Sequence, residues 1–492
     1  MHRLIPALLA VMLAACSASD VPSDAPADTD GSAMLALLDE ARLALGEGDL
    51  GKAGQIYEQA RQVEPENPEL WVDIARLRFR RGEHLTAFDA ADRALELDPN
   101  SASALLLRAQ FTRDSHGAAE SLSWFEAALL VDPSNPGAWA DYAASLGDLG
   151  RYHDMLTALR RPDNDAANNP QMLYLQAVMA ARAGDSLLAG SLLDRSGQVR
   201  RGVPGAIMLG AIIDLQQSNA DSAADGLELL LGRQPENLRA GDLLAYALWM
   251  GGRDREIVAR FEPRANDQGA SPYLIMLVGR SLERMGERQR GIVYIKRALE
   301  RQAEDLTLFA NVTPTGVRAP TATLELRAAA STGDRQRLTS LASSFVRQDR
   351  YSGGVHGLAG DAALLDGELA GSLEHYEVAA RVRRSWPLVR KMIYAFDAAR
   401  YPDAADALLA RALAGDPHNA AALLLLAQRS AQRSDWLRVA LLLDTAIGLG
   451  AGHDLEVLEL RVQAARELGQ EAQANRYEAA LNEARPGDFV AS

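Results

Sequence analysis

The sequence predicts an all-α fold, a superhelical solenoid of about a dozen antiparallel helix pairs of the kind that long-period repeats build. Pro65, Pro99 and Pro133 are equally spaced, each inside a similar phrase. Their fixed period of about 34 residues is typical of helical repeat arrays. Aromatic residues make up only 5% of the chain, which suits closely packed helices better than a β-sheet. Stacked helix pairs offer an extended surface rather than an enclosed pocket, so this fold class predicts a binding scaffold.

Residues 1–15 resemble the signal peptide of a bacterial lipoprotein. His2 and Arg3 give a basic start, and the apolar run from Leu4 to Ala14 is too short to span a membrane. The run leads into Leu-Ala-Ala-Cys, and Cys16 is the only cysteine of the chain, so no intramolecular disulfide can form. The resemblance implies that the peptide is removed before Cys16, which is then acylated. The alternative is an ordinary secreted protein, or a start codon placed too early, with a chance cysteine.

The segment 16–33 is predicted to be the lipidated cysteine followed by a flexible acidic tether. Residues 17–33 contain two prolines and four aspartates and show no apolar period, so they cannot bury enough surface to order themselves. Two or three acyl chains would hold the protein on a membrane. Because Ser17 rather than Asp follows the cysteine, the signal resembles one for the outer membrane facing the periplasm, with the inner membrane as the alternative.

The repeat begins after this tether. Each period carries small residues five and twelve positions before its proline, and small residues at two points of a helix let a second helix approach closely. A larger residue is expected between them and at the start of the next period. In the N-terminal periods these positions hold Ala53, Tyr57 and Ala60; Ala87, Ala91 and Ala94; Ser121, Phe125 and Ala128; and, at the starts, Trp71, Leu105 and Trp139.

This pattern resembles the tetratricopeptide repeat, which implies a solenoid of helix pairs that binds protein partners. In the second period the matching residues are Trp71, Ala75, Ala87, Ala94 and Pro99, whereas Arg78 and Ala91 depart from the usual large apolar residues. The spacing returns near the C-terminus at Ala379, Ala412, Ala446 and Ala480, and it is diluted between residues 200 and 347. The resemblance covers nearly the whole mature chain.

The breaks in this pattern predict the domain organisation. Residues 34–307 form an N-terminal solenoid, 308–320 a linker, 321–486 a C-terminal solenoid and 487–492 a tail. Leu308–Pro320 is rich in Thr, Pro and Gly and has no helical apolar spacing. The glycines of Asp349–Gly360 are interpreted as a loop followed by the small positions of a repeat.

Nothing in the sequence predicts catalysis, a metal or a cofactor. It contains no HExxH, GxxxxGK[ST], GxSxG or paired Cys-x-x-C motif, and the eight histidines are scattered. His418 lies at a turn between repeats, where a structural role is expected. The net charge of −15 argues against a nucleic-acid binder, which needs a basic surface. We therefore expect a protein that is not an enzyme.

The candidate binding groove follows from the resemblance. In tetratricopeptide proteins the first helix of each pair lines the concave face, chiefly through its second, fifth, ninth, twelfth and thirteenth positions. Arginines there could hold an acidic or extended peptide, although a solvated face whose arginines pair with neighbouring carboxylates is the alternative. The positions predict Arg42, Arg76, Phe79, Arg80, Gln110 and Arg113 near the N-terminus, and Arg390, Tyr394 and Gln428 near the C-terminus.

These observations predict a membrane-anchored periplasmic scaffold that serves the assembly of an envelope machine. The layout resembles that of repeat lipoproteins in pilus assembly, secretion and exopolysaccharide export, which implies envelope proteins as partners. The alternative is a regulator or activator of an enzyme of cell-wall synthesis or hydrolysis.

Overall fold

The computed structural model describes residues 29–160, 169–235, 237–267, 270–300, 306, 308–309 and 319–484. These residues form 26 α-helices, numbered α1 to α26, and one short 3₁₀ helix, and none of them forms a strand. The predicted signal peptide, Cys16, the tail and most of the 308–320 linker lie outside this set. The first helix begins at Thr29, inside the segment predicted to be a tether.

The first six helix pairs are α1 Thr29–Glu47 and α2 Leu50–Val63; α3 Pro68–Arg81 and α4 His84–Leu97; α5 Ala102–His116 and α6 Ala118–Val131; α7 Pro136–Asp148 and α8 Tyr152–Leu159; α9 Pro170–Arg182 and α10 Ser186–Ser196; α11 Pro204–Gln216 and α12 Ala220–Arg233. The other seven are α13 Leu238–Met250 and α14 Asp254–Ala265; α15 Pro272–Arg284 and α16 Arg288–Glu300; α17 Ala319–Ser331 and α18 Arg335–Gln348; α19 Gly353–Asp366 and α20 Leu369–Val382; α21 Trp386–Ala398 and α22 Pro402–Gly415; α23 Ala420–Gln432 and α24 Trp436–Gly448; α25 Leu455–Glu467 and α26 Glu471–Ala484.

The predicted solenoid of helix pairs is confirmed, and its register is more regular than the sequence indicated. Seven consecutive first helices, from α3 at Pro68 to α15 at Pro272, begin at equal intervals along the chain. From α3 onwards each second helix also begins at a constant distance from the start of its first helix. The stretch that looks diluted in the sequence therefore keeps the same period up to α15, with Pro204, Leu238 and Pro272 as successive starts.

The helix boundaries follow from local chemistry. Asn67, Asn135 and Asn169 each precede a first helix and accept a hydrogen bond from one of its first amides, and a proline follows each of them at the first helical position. The turn inside a pair passes through one left-handed residue, which is most often glycine, such as Gly82 at φ 82°. The left-handed residue recurs in the turn of each described pair, whereas the side-chain cap and the proline precede only some of the first helices.

Small residues, with larger apolar ones between them, form the core, as the repeat pattern predicted. Ala87, Ala91 and Ala94 of α4 are fully buried, and the ring of Phe125 in α6 is buried as well. Because alanine adds so little bulk, the two helices of a pair can approach closely and interdigitate with the next pair.

Contacts divide the chain into two compact units, residues 1–65 and 66–492. In the first unit, α1 packs on α2, and Lys52 lies 3.2 Å from Glu40 across this pair. The second unit holds the twelve remaining pairs, α3 to α26.

Within the second unit, pairs that are seven or eight positions apart in the array touch each other, so that α4 and α5 contact α20 and α6 contacts α22. The Gly353 amide donates to His84 Nδ1 at 3.2 Å across 269 residues. The Arg384 amide donates to the Asp114 carbonyl at 2.9 Å, and His418 Nδ1 lies 3.3 Å from the Asp148 carbonyl across 270 residues. We call these the eight-pair contact. His418, for which the sequence predicted a structural role, is part of it.

Candidate functional site

The face formed by the row of first helices is where the sequence placed its candidate residues. Several first helices contact the first helix of the next pair, among them α3 with α5, α13 with α15 and α17 with α19. We call the second, fifth, ninth, twelfth and thirteenth residues of these helices the first-helix face. In α3 they are Glu69, Val72, Arg76, Phe79 and Arg80.

The predicted arginines near the N-terminus are close to carboxylates. Arg42, in the first unit, lies 3.7 Å from Asp39 of the same helix. Arg76 donates to Asp73 at 3.0 Å, and the Asp73 side chain is 1% exposed whereas that of Arg76 is 41% exposed. Arg80 is exposed at the end of α3. Arg76 therefore both faces solvent and neutralises a buried charge.

The next predicted residues lie in a mixed aromatic and acidic neighbourhood. Phe79 stacks on Phe111 with ring centroids 5.2 Å apart, and Gln110 donates to Asp141 at 2.7 Å. Burial raises the pKa of Asp114 and of Asp148, and the charge of nearby Arg113 opposes the shift at both. At Arg42 and Arg76 the structure thus contains contacts between an arginine and a carboxylate, as the alternative interpretation described, and Gln110 makes a further contact with a carboxylate.

The C-terminal candidates differ from one another. Tyr394 is 53% exposed, whereas Arg390 is partly buried. Gln428 donates a hydrogen bond to Glu456, which joins α23 to α25. Partner binding by these nine residues stays a prediction.

The sequence interpretation missed the most apolar part of the first-helix face, which lies on four consecutive first helices in the middle of the array. Its exposed members include Ile212, Met250 and Tyr273, at 38%, 37% and 48% exposure. The same repeat register that selected Arg76 would have found them, had it been extended through this stretch. We call this surface the middle patch, and its residues are Tyr174 of α9, Met208 and Ile212 of α11, Tyr246, Trp249 and Met250 of α13, and Tyr273 and Met276 of α15.

The aromatic side chains of the middle patch contact one another. Tyr246 stacks near Trp249 with centroids 6.2 Å apart and meets Tyr273 at 6.1 Å. The Arg284 guanidinium lies 4.0 Å from the centroid of the Trp249 ring and donates to the Trp249 carbonyl at 2.9 Å. Burial, together with Tyr246 and Asp242, raises the pKa of Tyr273 to about 12, so its hydroxyl stays protonated at neutral pH. The patch is an aromatic surface with Arg284 at its edge, and charged side chains, among them Asp242, Arg280 and Glu283, occupy other positions of the same face.

Side chains suited to other chemistry are not clustered in the part of the chain that the structure describes. No group of three or more His, Cys, Asp or Glu side chains there could hold a metal ion. In the same residues, no helix combines the length and the apolar character needed to cross a bilayer.

Comparison with known proteins supports the repeat assignment over part of the chain. Residues 44–111 match the family model described as tetratricopeptide repeat. Among solved structures, the chain is similar to PilW, a type IV pilus biogenesis factor, at 21% identity over 44% of this chain and 98% of that chain with a TM-score of 0.34. It is similar to PilF of Pseudomonas aeruginosa at 17% identity over 46% and 96%, with a TM-score of 0.32. It is also similar to the Cut9–Hcn1 hetero-tetramer of the APC/C, at 12% identity over 92% and 87% with a TM-score of 0.32. At these identities and scores, none of the three similarities carries an inference about function.

Proposed function

We propose that this protein is a scaffold that binds protein partners along its first-helix face, with the middle patch as the principal docking surface. The observation that carries the proposal is the middle patch, in which four consecutive first helices place large apolar side chains on one face, with Ile212, Met250 and Tyr273 exposed and the others partly buried. Exposed apolar side chains grouped in this way are typical of interaction surfaces in soluble proteins. Aromatic residues and methionine are also the types enriched at interfaces.

The partner that fits the middle patch is a peptide segment with apolar side chains. Methionine adapts to different shapes, and Tyr and Trp give large contact area with few rotatable bonds. Arg284 at the edge could pair with an acidic residue beside the apolar ones. Weak contacts along several repeats would sum, as they do in multivalent binding.

The proposed location is the outer membrane, with lipidated Cys16 as the anchor and the array facing the periplasm. This rests on the sequence, where a basic start, a short apolar run and Leu-Ala-Ala-Cys resemble a lipoprotein signal. We propose that the scaffold serves an envelope machine such as a pilus-assembly, secretion or exopolysaccharide-export apparatus. An anchored scaffold would hold its partners close to the membrane and raise their effective concentration.

Replacing Ile212 and Tyr273 together with alanine is expected to lower the capture of partners from crosslinked envelopes roughly ten-fold or more, since buried interface side chains of this size each contribute on the order of 1 kcal/mol or more. The matched control is Leu130→Ala/Leu441→Ala, which removes two leucines, 86% and 62% exposed, from the second helices α6 and α24. Capture is measured by affinity purification and quantitative mass spectrometry, with circular dichroism as the check of folding.

An equal loss in both double variants would contradict a docking role for the middle patch. A loss seen instead with Arg76→Glu/Arg80→Glu would favour the N-terminal arginines as the docking surface. The captured proteins also identify the machine, because pilus, exporter and cell-wall components differ.

Replacing Cys16 with serine is expected to release the protein from the membrane fraction, or to leave its signal peptide uncut, because serine cannot take the thioether-linked lipid. The measurement is fractionation followed by a carbonate or high-salt wash, with wild type as the reference. If the variant still fractionates with the outer membrane after the wash, lipidation is not the anchor.

A further inference from the structure

One part of the first-helix face is covered, and the ninth position of the first helices shows where. This position is at least partly exposed in the neighbouring pairs, at Arg280 of α15, Arg327 of α17 and Tyr394 of α21. In α19 it is Asp361, whose side chain is completely buried. The part of the first-helix face formed by α17, α19 and α21 is therefore covered, whereas the other first helices leave their ninth residue at least partly exposed.

The chain itself is the occupant. Phe309, which lies within the predicted linker, is 4% exposed, and its amide donates to Asp361 Oδ2 at 2.5 Å. Its carbonyl accepts a hydrogen bond from Arg327 Nε at 3.0 Å. Both polar backbone groups of one residue are thus bonded by the ninth side chains of two successive first helices, which leaves neither unsatisfied.

The apolar side chains of this segment pack into two clusters on either side of α19. Phe309 belongs to a cluster with Leu326 of α17 and Leu358 of α19. Leu306 and Leu308 pack against a second cluster that includes Leu364, Tyr376, Leu388 and Met392. A short stretch carrying leucine and phenylalanine therefore fills a groove lined by α17 to α21.

The sequence shows how the segment reaches this groove. The regular register of first helices holds up to α15, and its next start would fall at Leu306, but α17 begins only at Ala319. Leu306, Leu308 and Phe309 lie in this longer connection between α16 and α17. Lys391 Nζ and the Tyr376 hydroxyl, each at 2.8 Å, hold the Asp361 carboxylate in place. The carboxylate is thereby oriented to accept a hydrogen bond from a backbone amide.

We propose that the first-helix face over α17, α19 and α21 is a second peptide-binding site, which the chain keeps filled with its own Leu306, Leu308 and Phe309. Its ligand is a segment with Leu-x-Leu-Phe character that forms a turn, with left-handed backbone at the phenylalanine as in Phe309 at φ 53°. The backbone amide of that phenylalanine bonds to Asp361 and its carbonyl bonds to Arg327. A partner that presents such a segment competes with the chain's own residues for the groove. The proposal concerns a different surface from the middle patch and does not depend on the function proposed above.

The test uses the full-length protein and a fluorescent peptide with the sequence of Glu304–Ala310 as the probe. The variant Phe309→Ala weakens the internal competitor, so it is expected to bind the peptide at least ten-fold more tightly than wild type in fluorescence anisotropy. A peptide in which alanine replaces the phenylalanine is expected to bind at least ten-fold more weakly to the same variant. The variant Ile212→Ala/Tyr273→Ala is expected to bind like wild type, which separates this site from the middle patch.

Folding of each variant is checked by circular dichroism. If Phe309→Ala does not fold, Phe309→Leu, which removes fewer atoms, takes its place in the same assay. Hydrogen exchange on wild type provides a second readout, since excess peptide should speed exchange at Leu308 and Phe309 without exposing the interior of α19. Equal binding by wild type and a folded variant, or no binding by the folded variant, would overturn the proposal.

Discussion

Replacing Lys391 with methionine is expected to lower the free energy of unfolding of the C-terminal repeats by about 3–5 kcal/mol, the usual effect of breaking a buried ion pair. Lys391 is 1% exposed and its partner Asp361 is 0% exposed, with 2.8 Å between the charged atoms. Burial raises the pKa of Asp361, and Lys391 is the largest of the groups that oppose this shift, ahead of the Tyr376 hydroxyl and the Phe309 amide. Without the lysine, the carboxylate must either lose its charge or stay buried without a counter-ion.

The matched control is Lys296→Met on the exposed side of α16, which is expected to change stability by less than about 0.5 kcal/mol. The double variant Asp361→Asn/Lys391→Met removes both charges and keeps an acceptor for the Phe309 amide, so it is expected to recover much of the loss. Urea unfolding followed by circular dichroism gives the overall effect. Hydrogen exchange locates it, because a repeat array need not unfold in one step. A loss at Lys391 no larger than that at Lys296 would contradict the prediction.

Lowering the pH from 7 to 4 is expected to weaken the eight-pair contact at His84 by up to about 3 kcal/mol, at 1.36 kcal/mol per pKa unit. The Gly353 amide can donate to His84 Nδ1 only while that nitrogen is unprotonated. Burial lowers the pKa of His84 to about 4, compared with about 6.5 for an unperturbed histidine. Between pH 4 and 6.5, His84 binds a proton more tightly when the eight-pair contact is broken than when it is formed. The contribution is therefore complete above about pH 6.5 and is lost as the pH falls towards 4.

Several charged or titratable side chains lie on the elements that pack at this contact. Among them are Arg78 of α3, Glu83 before α4, Asp349 and Arg350 before α19, His356 of α19 and His375 of α20. None of them is among the causes of the His84 shift, which is due to burial.

The pH prediction is checked by hydrogen exchange of α4 and α19 between pH 7 and 4, corrected for the intrinsic exchange rate. The variant His84→Gln can accept the Gly353 bond through its amide oxygen and does not titrate, so the pH dependence should be reduced. His153→Gln, at an exposed site on α8, serves as the control and should behave like wild type. The same pH dependence in both variants would show that other groups open the contact.

The repeat was predictable from the sequence because each period repeats the same local requirements. Small residues such as Ala87 and Ala94 recur where two helices pack closely. A proline such as Pro99 recurs near the start of a new pair. The middle of the array looked diluted because its large apolar residues, such as Met208 and Tyr246, stand at positions of the first-helix face rather than at the positions that define the repeat. The first helices of this stretch nevertheless start at the same regular intervals up to α15.

The partners of the candidate side chains were not predictable in the same way. The register assigned Arg76 and Gln110 to their helices, but their contacts with Asp73 and Asp141 depend on neighbouring residues that the repeat pattern does not specify. The burial of Asp361 depends on a connection of unusual length. The eight-pair contact depends on the small rotation between successive pairs, which accumulates along the array and cannot be read from any one repeat.

The eight-pair contact also limits how this gene can vary. Repeat arrays usually gain or lose whole units with little penalty, because each unit touches only its neighbours. Here, deletion of one helix pair between α8 and α19 would leave His84 opposite a different pair, and the bonds to Gly353, Arg384 and His418 would all be lost together. A change in the number of repeats between these partners would therefore break the contact, whichever repeat was gained or lost.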